Sequence, residues 1–183
     1  LNIAPSLLEK VDIVRNAIDF AHIMGNPNPK IALLSAVETV TPAIPSTLDA
    51  AALCKMADRG QIRGGLVEGP LAMDNAIDPA AARAKGLTGA VAGRANILVV
   101  PGLDAGNMLV KQLSFISHAE SGGLVMGAKV PVILNSRSDS PMSRLASCAV
   151  AALFAATGLW SLHQAANTEN TPAAKPVAVH ASY

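Results

Sequence analysis

Residues 31–35 read IALLS, a continuous apolar run of strand length that opens after Asn26-Pro27-Asn28-Pro29 and closes on a serine. A run this short with no polar alternation marks a strand buried on both faces, the kind found inside parallel sheets. Ile97-Leu98-Val99-Val100 repeats the pattern, and Leu124-Val125-Met126 and Pro131-Val132-Ile133-Leu134 give two more closely spaced strands. Gly64 to Gly69 reads as a strand entering a turn.

Between these runs the spacing turns helical. Ser6-Leu7-Leu8-Glu9 is a capping-box pattern, followed by Leu8, Val11, Val14, Ala17, Ile18 and Ala21 up to Gly25. Ser46 caps a second predicted helix through Asp58, Pro79 to Lys85 forms a third, and another runs through Lys111 to His118. The last is predicted from Pro141 past Phe154, fading near Gly158. Strands alternating with helices predict an α/β fold with a largely parallel sheet. After Asn167 the chain becomes Pro- and Ala-rich without periodicity, which predicts a mobile tail.

Ligands of such sheets gather outside the carboxyl ends of the strands. Three strand-exit loops carry more polarity than a turn needs: Glu68 to Ala76, Pro101 to Asn107, and Asn135 to Ser140. Together they suggest a shared cleft. The bland alternative is that Gly and Asn are ordinary turn residues.

The third loop sharpens the choice. Asn135-Ser136-Arg137-Ser138-Asp139 places hydroxyls, a guanidinium and a carboxylate ahead of Ser140-Pro141, where a helix begins. Capping accounts for much of this, with Ser140 as N-cap, Pro141 in the first turn and Asp139 near the positive helix end. An anion site is the functional alternative, because helix-start N–H groups and a guanidinium suit a phosphate or carboxylate.

Composition narrows the classes. The 183 residues are 51% apolar and only 3% aromatic, with a formal net charge of +1, and the mean hydropathy is +0.38. The chain can bury a sizeable core and lacks the basic face or aromatic platforms of a nucleic-acid binder. Cys54 and Cys148 lie in alanine-rich helical stretches and read as small buried hydrophobes. His22, His118, His163 and His180 have no ligand spacing, so no metal is expected. With no apolar run of about twenty residues and no signal-peptide pattern, the expected location is the cytoplasm and no membrane partner is foreseen. The opening LNIAP reads as the end of a strand, as in the carboxy-terminal piece of something longer.

VEGPLAMDNAI, VVPGLDAGNMLVKQL and PVILNSRSDSPMSRLASCAVAAL resemble the carboxy-terminal half of the phosphate acetyl/butyryltransferase family. LNIAPSLLEKVDIVRNAIDFAH and KIALLSAVETVTPAIPSTLDAAALCKMADRGQI are similar to its branch in which a MaoC-like enoyl-CoA hydratase domain comes first. The resemblance spans residues 1 to about 156 and implies reversible acyl transfer between coenzyme A and inorganic phosphate. Coenzyme A or acyl-CoA is then a substrate, with no covalently bound cofactor. The implied architecture is three-layer α/β, related to isocitrate/isopropylmalate dehydrogenase, with 1–27 a remnant of a first domain and 28–122 an inserted domain that dimerises. Residues 123–165 would return to the first domain, and 166–183 would be the tail.

By the same resemblance, Arg137 holds the phosphoryl group and Ser136 hydrogen-bonds the acyl centre. Asp74, Asn75 and Asn107 fall in loops that shape the coenzyme A site; Lys111, one helical turn past Asn107, joins that site if it faces the cleft, the alternative being solvent. One departure stands out. The acetyltransferase branch has a catalytic Asp where this chain has Ser143, leaving Asp139 either as the base or as a helix cap. That departure keeps open a non-catalytic alternative, an acyl-CoA-sensing and dimerisation domain such as those fused to malic enzymes. A third reading is a fragment inactive by itself.

Overall fold

The computed structural model describes residues 2–128 and 130–156 and the backbone of Val177–Ser182. They divide into two compact units, Ala4–Gly102 and a second formed by Leu1–Ile3 with Leu103–Tyr183.

The first unit opens with α1 (Leu7–Ile23), closed at its start by the predicted capping box: Ser6 Oγ accepts the Glu9 N–H, and Glu9 accepts the Ser6 N–H at 2.9 Å. Next come β1 (Lys30–Leu34), α2 (Pro45–Asp58), β2 (Leu66–Leu71), α3 (Met73–Ile77), α4 (Pro79–Ala84) and β3 (Ile97–Val99). The three strands form a parallel sheet in the order β2-β1-β3. The centre strand is the stretch expected to be buried on both faces, and alternation explains how it manages this. Ile31 and Leu33 point into a core with Val14 and Ile18 of α1 and Leu53 of α2. Ala32 points the other way, into a second core with Leu71, Ala76, Ala82 and Val91. The unit is therefore a helix–sheet–helix sandwich. Gly69 is required on the neighbouring strand, since a Cβ there would stand 2.7 Å from Leu33 Cβ.

Two details differ from expectation. Helix α2 starts at Pro45, one residue before the expected cap Ser46, because proline at the first helical position supplies the right φ. The hydroxyl that secures this start is that of Thr47, fully buried, which accepts the Thr41 N–H at 2.9 Å. Helix α1 buries its apolar face against β1, α2 and β3.

The second unit holds α5 (Leu103–Phe115), β4 (Ser121–Met126), α6 (Pro141–Ala156) and β5 (Val177–Ser182). All six residues of β4 are buried, and the strand pairs antiparallel with β5. Val177–Ser182, expected within the aperiodic tail, is a strand because the open edge of β4 offers it a ladder; residues 157–176 lie outside those described. Pro131–Leu134, expected as a buried strand, is not one. It makes a single bridge, with the Val125 N–H donating to the Val132 carbonyl at 2.8 Å, and Val130, Val132, Ile133 and Leu134 are exposed. Apolar sequence alone does not make a strand without a neighbour to complete its ladder. Cys148, expected to be buried, is exposed on α6, whereas Cys54 is half-buried.

A candidate active site in the Ser-Arg loop

Helix α6 is capped as its sequence requires: Ser140 Oγ accepts the Ser143 N–H at 3.1 Å and Pro141 opens the first turn. The capping thus belongs to Ser140 and leaves the preceding residues for other work. Asp139 turns back on the loop. Its Oδ2 accepts the Ser136 N–H at 2.7 Å and the Asn135 side-chain amide at 3.1 Å. This carboxylate is a clamp across residues 135–139, a short charge-assisted bond closing the turn.

A second anchor lies beneath the loop. Ser147 is fully buried on α6, and its Oγ donates to the Ser143 carbonyl at 2.8 Å. The same oxygen accepts the Gly123 N–H of β4 at 2.9 Å and the Asn135 amide at 3.1 Å. One hydroxyl therefore ties strand, helix and loop together. The sequence reading missed it; the only signal is a serine within the alanine-rich apolar stretch of α6.

With its backbone held, the loop presents Ser136 and Arg137. Ser136 Oγ lies 2.9 Å from Ser138 Oγ and accepts a hydrogen bond from Lys111 Nζ of α5 at 3.3 Å. Arg137 is exposed, and among the described residues its guanidinium forms no ion pair. Arg144, one helix turn into α6, donates to the Arg137 carbonyl at 3.3 Å. Ser136, Arg137, Asp139 and Lys111 are thus gathered within one unit. Asn107 sits one turn before Lys111 on α5 and is exposed. Ser143 Oγ lies 3.0 Å from Ser140 Oγ.

Asp74 and Asn75 belong to the other unit, at the carboxyl ends of its strands, and take part in a distinct cluster. The Asn75 amide donates to Glu38 Oε2 at 3.2 Å, and Lys85 Nζ bridges Glu38 at 3.2 Å and Asp74 at 3.4 Å. Backbone N–H donation, ahead of the Lys85 ammonium, holds the Asp74 and Glu38 carboxyls below the ordinary carboxylate range. The two carboxylates in turn push the Lys85 ammonium upward, Glu38 foremost. Glu38 and Lys85 carried no motif signal, being separated in sequence by 47 residues. Asn75 is fully buried. Among the described residues no group of three or more metal-ligating side chains forms, and no helix is long and apolar enough to cross a membrane.

Residues 1–152 match the family described as Phosphate acetyl/butaryl transferase. The chain is 64% identical over 156 residues to the phosphate acetyltransferase of Rhizobium meliloti, covering 85% of this chain and 49% of that protein. It is 49% identical over 154 residues to the phosphate butyryltransferase of Clostridium acetobutylicum, covering 84% and 51%. Among solved structures, a branched-chain phosphotransacylase from Enterococcus faecalis superposes with a TM-score of 0.76 at 42% identity, over 84% of this chain and 55% of that one. The chain spans about half the length of the curated relatives it matches. With the family match running through both strand–helix units as far as the Ser-Arg loop and α6, this chain belongs to the phosphate acetyl/butyryltransferase family.

Proposed function

We propose that this chain carries the Ser-Arg part of a phosphate acyltransferase, acting on acetyl or another short acyl group: acyl-CoA and inorganic phosphate in exchange for acyl phosphate and coenzyme A. The supporting observation is the Ser136-Arg137 pair on a loop clamped from below, its guanidinium uncommitted to any carboxylate described. In the direction of acyl-CoA formation, the coenzyme A sulfur bonds to the carbonyl carbon and the carbon–oxygen bond to phosphate breaks. Negative charge grows on the carbonyl oxygen and on the departing phosphate. A guanidinium fork suits the phosphate, and a serine hydroxyl can donate to the carbonyl oxygen. A free thiol has a pKa of about 8.5, so part of it ionises without help near neutral pH.

Asp139 has two bonds to its own loop, which favours a positioning role over that of base. By the family resemblance, Asp74, Asn75 and Asn107 are each proposed to serve coenzyme A binding. A homodimer and a preceding MaoC-like domain rest on sequence resemblance, and a cytoplasmic location completes the reading. The test is formation of acyl-CoA from acetyl or butyryl phosphate and coenzyme A by the full-length protein. Wild type is expected to turn over and Arg137→Ala to lose at least a hundredfold in kcat/KM. Coenzyme A binding by calorimetry without turnover would instead favour the acyl-CoA sensor, a reading that Ser143 in place of the branch's aspartate keeps in play.

A further inference from the structure

We propose that Lys111 is a positioning residue that fixes the polarity of the Ser136 hydroxyl, making that serine a committed hydrogen-bond donor. This rests on the acyltransferase reading and assigns Lys111 a part in the reaction centre rather than in the coenzyme A site. The geometry is specific. An ammonium has three donors and no acceptor, so the Lys111–Ser136 contact at 3.3 Å has one possible sense: Lys111 donates and Ser136 Oγ accepts. The Ser138 backbone N–H also donates to Ser136 Oγ, at 3.4 Å. A hydroxyl oxygen has two acceptor sites, and both are now filled.

The single remaining function of Ser136 is to give its own proton to an acceptor. At rest that acceptor is Ser138 Oγ, 2.9 Å away. During acyl transfer it is the carbonyl oxygen, where charge develops; the proton is shared in a hydrogen bond and never leaves Ser136. Donors feeding into the serine oxygen polarise its O–H and strengthen the bond it makes in turn. Lys111 is held for this task by its own helix, since its ammonium also lies 5.3 Å from the centre of the Phe115 ring, one turn along α5.

The test is a double-mutant cycle on the full-length protein, combined with a direct reading of the contact. Lys111→Met and Ser136→Ala are each expected to lower kcat about tenfold to a hundredfold. KM for coenzyme A should move by less than about threefold, because the interaction is realised as charge develops. The double variant should fall no further than the worse single one, and Lys111→Arg should recover part of the loss. Additive losses, or a raised KM at unchanged kcat in Lys111→Met, would overturn the proposal. Separately, the Lys111 side-chain NMR signal should shift on Ser136→Ala; an unmoved signal refutes the contact whatever the activity. A moving signal in a wild-type protein that does not turn over would instead remove the transferase reading, and the catalytic role of Lys111 with it.

Discussion

Ser147→Ala is the most informative single change, because one buried oxygen serves three elements. The substitution leaves the Gly123 N–H, buried in β4, without its acceptor. An orphaned buried donor costs about 1–3 kcal/mol. The other partners soften the loss: Asn135 keeps its bond to Asp139, and the Ser143 carbonyl is part of the helix. Alanine returns up to about 0.5 kcal/mol through its higher helix propensity. The net expectation is a destabilisation of about 1–2 kcal/mol, read as a lower urea midpoint at an unchanged m value. A functional effect should accompany it, since Asn135 also steadies the loop that carries Ser136. Loss of one of its two tethers predicts a several-fold fall in kcat/KM at temperatures where the variant remains folded. Ser138→Ala, at an exposed position of the same loop, is the control and should stay within about 0.5 kcal/mol of wild type. Equal stability of Ser147→Ala and wild type would refute the claim that this hydroxyl ties α6, β4 and the loop together.

Three further outcomes are expected. Asp139→Asn keeps an acceptor oxygen for the Ser136 N–H, so a clamp predicts kcat within about tenfold of wild type, whereas a general base predicts losses of at least a hundredfold; rate measurements on the full-length protein separate the two. Glu68 Oε2 accepts the N–H groups of Val91 and Ala92 at 2.9 and 3.1 Å, both from buried residues, so Glu68→Leu should cost about 2–5 kcal/mol by denaturant titration, and a cost below about 1 kcal/mol would refute the anchor. Burial, with the Glu68 charge secondary, pushes the Cys54 thiol from 9.0 up to about 11. Alkylation at pH 8 followed by mass spectrometry should therefore modify exposed Cys148 well before Cys54. The linkage has a definite sign: with the folded pKa raised, the contribution of Cys54 to stability is intact below pH 9 and is lost as pH climbs toward 11.

What could be read without coordinates is whatever depends on neighbours in the chain. The capping box at Ser6 and Glu9, the cap at Ser140 and the buried run at Ile31 all follow from contacts within a few residues or from strand alternation, and each is present in the structure. The family resemblance likewise lived in contiguous loops. Val130–Leu134 shows the limit of such reasoning: an apolar run becomes a strand only if another edge accepts its N–H groups, and that edge is a tertiary matter. Val177–Ser182 is the converse, a segment without helical or turn signals made into a strand by β4.

The site divides the same way. Sequence by itself determined which residue types were available, Ser136, Arg137 and Asp139 on one loop before a capped helix. Only the tertiary structure decided their hydrogen-bond partners, because direction matters to a hydrogen bond and direction is set by groups far along the chain. Lys111 arrives from 25 residues away to donate to Ser136, and Ser147 from 12 away to hold Asn135. Asp139, which the sequence offers as base or helix cap, places its carboxylate across the loop. Local spacing can propose a functional group; the long-range contacts fix which of its lone pairs and protons remain free to act.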